Sequence, residues 1–229
     1  MAVSIVGTKS TTDGDVLGVC SISTTDYRHR RVTAPHSHAC FTSRTSAIVG
    51  IDSGYLSFIS KHFGKGKPLR YKIEKFATSL CNNRGLTCKE IYFYIAPPYQ
   101  SPKPTKEESN RKANYDKFIE KLKNVKPKVF IREGRCQKIG ETYQQKGVDT
   151  LMTMDLLKTA QKRDIKSIII ITADTDFVPI INDIRKDYKI KVTLAYFTDR
   201  KRKSAFSLSN ELWKSCDDKI LIKKEYFED

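Results

Sequence analysis

A chain of 229 residues with 39% hydrophobic and 10% aromatic content can bury one substantial core, so one ordinary domain plus a tail is expected. Its 42 Lys and Arg against 26 Asp and Glu leave a formal charge of +16, which points to polyanionic partners. No apolar stretch approaches the roughly 20 residues of a spanning helix and no basic amphipathic helix stands out, so no membrane partner is expected.

Residues 1–45 are rich in Ser and Thr, show neither helical nor strand periodicity, and lack the apolar core of a signal peptide. They read as a disordered or loosely docked tail. Within it, His36, His38 and Cys40 stand at alternate positions, but with no second ligand cluster nearby a solvated loop is preferred to a metal site. Asp13, Asp15 and Asp26 argue against a transit peptide. The six cysteines (Cys20, Cys40, Cys81, Cys88, Cys136, Cys216) form no C-x-x-C pair and read as reduced thiols of a cytoplasmic protein.

From residue 46 to 229 strand-like and helix-like stretches alternate. The apolar run "AIVGID" is followed by helical spacing from Tyr71 to Leu80, then "IYFYIA", then the proline-rich loop "APPYQSPKPTKEES". Helical spacing returns from Ser109 to Leu122, followed by "KVFI" and by "REGRCQKIGETYQQ", whose glycines suggest an irregular or hairpin insertion. A helix over Thr150 to Ala160, the run "SIIIIT", a helix over Phe177 to Arg185 and the run "KVTLAYF" complete the pattern. The alternation predicts an α/β fold: a doubly wound, mainly parallel sheet with helices on both faces.

Four aspartates fall where such a sheet binds ligands, with a fifth further along one helix. Asp52 closes the first strand, Asp149 opens a helix with Asp155 further along it, and Asp174 and Asp176 follow "SIIIIT". Right-handed crossovers can bring the strand-end and helix-start acids to one carboxyl edge. Asp155 lies about 9 Å along the axis and roughly 120° around from Asp149, which ranks it as an accessory acid. Taken singly, Asp149, Asp174 or Asp176 can simply cap a helix and Asp52 can be a turn residue. Taken together they would repel one another unless a cation neutralised them, and hard oxygen ligands favour Mg²⁺ or Mn²⁺. Such an ion can activate water against a phosphodiester.

At these residues the chain resembles a bacterial NYN domain (LabA-like) of the PIN-like nuclease superfamily, in the subgroup whose first strand ends in an "IDGGYL" type motif, here "IDSGYL". The later landmarks "YIAPPYQS", "QQKGVDTLMTMDLL", "TADTDFVPII", "KVTLAYF" and "ELWKSCDDKILI" match in order. The resemblance implies metal-dependent cleavage of RNA, with Asp52, Asp149, Asp174 and Asp176 as metal-site and catalytic acids and Asp155 as accessory. Three positions depart from the pattern: Tyr55 where many NYN domains carry the Asn of D-x-x-N, and Ser53 and Ala173 where glycine is usual.

The expected function is thus a ribonuclease, endonucleolytic, acting on single-stranded RNA, with DNA and a homodimer left open. A catalytically inactive binding or regulatory module is the alternative that Tyr55 would fit. Expected RNA contacts are Arg132, Arg135, Lys138 and Lys146 around the insertion and Arg200, Lys201, Arg202 and Lys203 after the last strand-like run. Tyr99 in the proline-rich loop can stack a base or pack on its prolines.

Overall fold

The computed structural model describes residues 44–162, 164–198 and 208–228; the tail, its His36, His38 and Cys40, and Arg200 to Lys203 lie outside them. In chain order the elements are β1 (Ser46–Asp52), α1 (Ser53–Phe63), α2 (Ile73–Asn83), β2 (Thr87–Ile95), α3 (Lys106–Lys123) and β3 (Lys128–Glu133). They continue with β4 (Arg135–Ile139), β5 (Thr142–Lys146), α4 (Val148–Gln161), β6 (Ser167–Ile171), α5 (Val178–Asp187), β7 (Lys191–Tyr196), α6 (Asn210–Ser215) and β8 (Asp218–Leu221). Short 3₁₀ turns lie at Thr175–Phe177 and Lys224–Phe227.

Six strands pair in parallel in the order β3-β2-β1-β6-β7-β8, and β4 with β5 forms a separate antiparallel hairpin. The central strands are unbroken apolar runs because both faces of the sheet are covered. In β6 successive isoleucines point to opposite sides: Ile169 and Ile171 join a core with α1, α2 and α3, while Ile168 and Ile170 join one with α4, α5 and α6. This is the doubly wound arrangement the alternation predicts. Strand order reverses between β1 and β6, leaving a crevice at their carboxyl ends.

Three elements were not expected. Helix α1 follows β1 without a connecting loop because Asp52 caps it directly, and its Gly and three Ser dilute the helical signal. The short α6 and β8 sit in the "ELWKSCDDKILI" landmark, too brief for periodicity to register. The proline-rich loop also ends earlier than read. Thr105 and Glu108 form a capping box, Thr105 Oγ1 accepting from Glu108 N at 3.2 Å and Glu108 Oε2 from Thr105 N at 3.0 Å, so the last residues of that segment are the first turn of α3. The insertion is the β4/β5 hairpin. Among the described residues Cys81, Cys88, Cys136 and Cys216 are free thiols, and no helix is long and apolar enough to cross a membrane.

Tyr55 explains its own departure from the D-x-x-N pattern. Its side chain is fully buried in the α1 core, and its hydroxyl oxygen accepts from Phe197 N at 2.9 Å, just past the carboxyl end of β7. The phenol therefore ties α1 to the sheet. Tyr55→Phe should leave that buried N–H short of an acceptor, costing about 1–3 kcal/mol, and lower the melting temperature by about 3–8 °C. An unchanged melting temperature in differential scanning calorimetry would remove the tie.

Candidate functional site

The acids reach the crevice by local turns. Asp52 is the last residue of β1 and the cap of α1, its Oδ1 accepting from Gly54 N at 2.8 Å and Tyr55 N at 3.4 Å. Beyond β6, Thr172 Oγ1 accepts from Asp174 N at 3.1 Å, and Asp174 Oδ1 accepts from Asp176 N at 2.9 Å. These two side-chain turns coil the chain so that Asp174 and Asp176 leave the strand together. Because Ile51 pairs with Ile171, Asp52 and this turn emerge from the same edge of neighbouring strands. Asp149 is the second residue of α4, whose cap is Gly147 at φ 80°. The capping expectation fails for Asp149, while Asp52 and Asp174 do cap.

Electrostatics link the four. Burial, aided by the charges of Asp149 and Asp174 and opposed by hydrogen bonds from Gly54 and Tyr55, pushes the Asp52 carboxyl up to about 6. Asp149 is also raised, by burial first and then by Asp174 and Asp176. Among the described residues no Lys or Arg forms an ion pair with any of them. Among the described residues no group of three or more His, Cys, Asp or Glu side chains is arranged to hold one ion together.

Asp155 sits elsewhere. It is buried on α4 and paired with Arg132 of β3, Nε to Oδ2 at 2.6 Å and Nη2 to Oδ1 at 3.1 Å, with Tyr94 also hydrogen-bonded to it. The rotation along α4 that separates it from Asp149 sends it toward β3, and its charge is already answered there. Arg132 is correspondingly occupied by a carboxylate.

Of the other expected contacts, Arg135 and Lys138 on β4 and Lys146 at the end of β5 are exposed on the hairpin that feeds into α4. Tyr99 packs neither freely nor only on its prolines: its ring lies 5.6 Å from that of Tyr143 on β5, which is 48% exposed, with Lys138 Nζ 6.0 Å from the Tyr143 ring. The proline-rich loop and hairpin thus share an aromatic, basic surface. Tyr143 was missed because the hairpin strands are polar on both sides. Thr172 was missed as well, although a Thr two residues before an Asp at a strand end is a turn signature.

The model of the NYN domain family matches residues 48–222. The fold is similar to the crystal structure of a protein of unknown function from Vibrio parahaemolyticus RIMD 2210633, with a TM-score of 0.54 and 15% sequence identity, covering 80% of this chain and 95% of that one. At that identity the likeness speaks for the fold alone. No curated protein matches the chain.

The raised Asp52 carboxyl fixes a pH dependence. Between its ordinary value of 3.8 and about 6 the folded protein holds a proton that the unfolded chain has released, so stability falls as pH rises through that window. Asp52→Asn removes the charge and keeps a cap acceptor. In EDTA above pH 6.5 the variant should be more stable than the parent by about 1–3 kcal/mol, and the gap should close toward pH 4. Melting curves across that range check it; a gap that does not change with pH would place the burden on another group.

Proposed function

We propose, because the chain belongs to the NYN domain family and so to the PIN-like nuclease superfamily, that it is a divalent-metal-dependent ribonuclease acting on single-stranded RNA at Asp52, Asp149, Asp174 and Asp176. One observation carries the reading. In a chain of net charge +16, four carboxylates share the switch-point edge of the sheet and none of them has a cationic partner among the described residues. Surplus Lys and Arg are at hand, so the absence of pairing favours a site that takes its positive charge from outside the chain.

The donor set fits Mg²⁺ or Mn²⁺: all hard carboxylate oxygens, with two carboxyls raised by burial and mutual repulsion that a dication would relieve. Asp52 and Asp174, emerging from paired strands, would hold the ion, with Asp149 and Asp176 completing the negative field. When bound, the ion supplies an acidified water and charge for the leaving oxygen of the phosphodiester. The chain's own residues do the rest. Gly54 and Tyr55 N–H groups fix Asp52, Thr172 fixes the Asp174 turn, and Arg135, Lys138 and Lys146 draw the phosphate backbone toward the hairpin. Tyr99 and Tyr143 offer base-stacking surface. On sequence grounds Arg200 to Lys203 extend the same charge, residues 46–229 form the catalytic domain, and the "IDSGYL" motif assigns the LabA-like subgroup. A second reading, a module that binds RNA without cutting it, is favoured by the lack, among the described residues, of three such side chains arranged to hold one ion and by Tyr55 in place of the Asn.

Asp174→Asn separates the two. On the nuclease reading it loses at least about 100-fold in cleavage of labelled RNA with Mn²⁺ and loses the melting-temperature gain that Mn²⁺ gives the parent, while its metal-free stability is equal or higher. Full activity in a preparation free of contaminating nuclease would sink the metal-site assignment.

A salt titration tests the hairpin. RNA affinity of the parent in EDTA should fall steeply with salt, and replacing Arg135, Lys138 and Lys146 with Ala should reduce the slope of log K against log salt by about 2, from roughly 0.7 per lost phosphate contact on a single strand. An unchanged slope would move the backbone contacts elsewhere.

A further inference from the structure

A groove of about 750 Å³ opens on the α1 to α3 side of the sheet, and it begins at the acid edge. Its inner end is Ser53 and Gly54, the two residues after Asp52. Phe93 and Ile95, at the carboxyl end of β2, line it with Phe118 of α3. The segment between α1 and α2 supplies the facing wall, and that wall is firmly built. Leu69 N donates to Ser60 Oγ at 2.8 Å, with Ser60 1% exposed, and the Tyr71 ring meets Phe227 edge-on at 4.8 Å. Gly64 lets the segment fold back, since a Cβ there would lie 1.9 Å from the Lys67 carbonyl oxygen.

The charge of this groove is one-sided. Arg70, Lys72 and Lys121 line it and no Asp or Glu does. All three are exposed, and none is held in an ion pair among the described residues. Some basic side chains elsewhere on the surface find acids, as Arg185 does with Asp217 and Lys89 with Asp164; what sets the groove apart is three cations in one lining beside aromatic surface. A lining that joins aromatic and aliphatic surface to unanswered cations suits a flat apolar ring carrying a phosphate. Gln145 of β5 also lines it, so groove and basic hairpin share a boundary.

We propose that this groove is a nucleotide subsite: it holds roughly one or two nucleotides of single-stranded RNA next to the bond presented to Asp52, bases against the partly exposed Phe118 and Tyr71 over a floor that includes the buried Phe93, phosphates against Arg70, Lys72 and Lys121. The proposal rests on the reading that the acid edge acts on RNA, and it names the surface that positions the strand. An acidic peptide satisfies the cations but leaves the aromatic surface without a stacking partner.

The test uses the full chain in EDTA, where binding is read without cleavage. A fluorescein-labelled 12-residue oligoribonucleotide is titrated by anisotropy against the parent, against Arg70→Glu/Lys121→Glu, and against Lys186→Glu/Lys189→Glu, an equal charge change beside the amino end of β7. The groove pair should raise Kd at least about tenfold and the control pair less than about threefold. A 4-thiouridine oligonucleotide irradiated on the parent should crosslink to peptides containing Tyr71 or Phe118, and free uridine 5′-monophosphate in excess should reduce that yield. Equal weakening by both pairs would show that net charge alone binds RNA and overturn the subsite, as would crosslinks confined to the hairpin. An unlabelled poly-glutamate peptide that displaces the oligonucleotide from the parent and from the groove pair equally also counts against it, and loss of that competition in the groove pair without loss of RNA affinity would assign the groove to an acidic protein segment. The two readings fail separately. Groove-dependent binding with no Mn²⁺-dependent cleavage sinks the nuclease and keeps the subsite, whereas cleavage with unchanged KM in the groove pair keeps the nuclease and sinks the subsite.

Discussion

The parallel pairing of β1 with β6 is the constraint on which the candidate site depends. These two strands are neighbours in the sheet although more than a hundred residues separate them, and their register sets Ile51 against Ile171. Everything beyond that point follows from chain direction. From β1 the chain enters α1 on one face; from β6 it enters the 3₁₀ turn and α5 on the other. The two exits diverge, no connection crosses between them, and the gap is lined by whatever residues finish the strands. Here those residues are Asp52 and the Asp174 turn, and α4 delivers Asp149 to the same gap from the hairpin side.

Gathering those charges opposes folding. A carboxyl held near 6 is one the fold penalises at neutral pH, and the capping bonds from Gly54 and Tyr55 reduce the penalty without removing it. The core offsets it: all four isoleucines of β6 are fully buried, each worth about 1.5–3 kcal/mol by area. The fifth acid shows what happens when a chain has no use for a bare charge. Asp155 is more deeply buried than the others, yet it takes a forked pair with Arg132 and a hydrogen bond from Tyr94. With both arrangements in one helix, the missing partner of Asp149 is not a shortage of arginine in reach of α4.

What the sequence made legible follows the same physics. β-branched runs, long helical periods and the order of acids along the chain survive as local signals, so the parallel sheet could be read from the residues, as could the place of Asp52, Asp174 and Asp176 at the ends of its strands and of Asp149 at the start of α4. Signals that need a partner were silent. The destination of Tyr55 depends on Phe197, far away in sequence, and the pairing of Arg132 depends on which way α4 turns Asp155. The contact of Tyr99 with Tyr143 required knowing that the insertion folds back as a hairpin. Helix α1 was hidden for another reason: its start is specified by Asp52, a residue the eye assigns to the strand before it.

A chain that is basic overall and acidic at one edge presents a phosphate with two fields of different range. At a distance the +16 charge attracts it; within the crevice four bare carboxylates repel it. On the proposed reading, Asp52 and Asp174 would admit a phosphate only where a dication offsets their charge, and a bound phosphate would in turn strengthen their hold on that dication. The affinities of RNA and ion for that edge must then be coupled, and coupled equally in both directions. The groove lining has no acid, and the hairpin carries Arg135, Lys138 and Lys146 against the single Glu141 in its turn, so neither presents such a concentration of negative charge. If both proposals hold, contacts there would grip the strand whether or not an ion is present, and grip would be separable from cleavage: basic and aromatic surfaces would keep the RNA in place, while Asp52 and Asp174 would act on it only with a dication held between them.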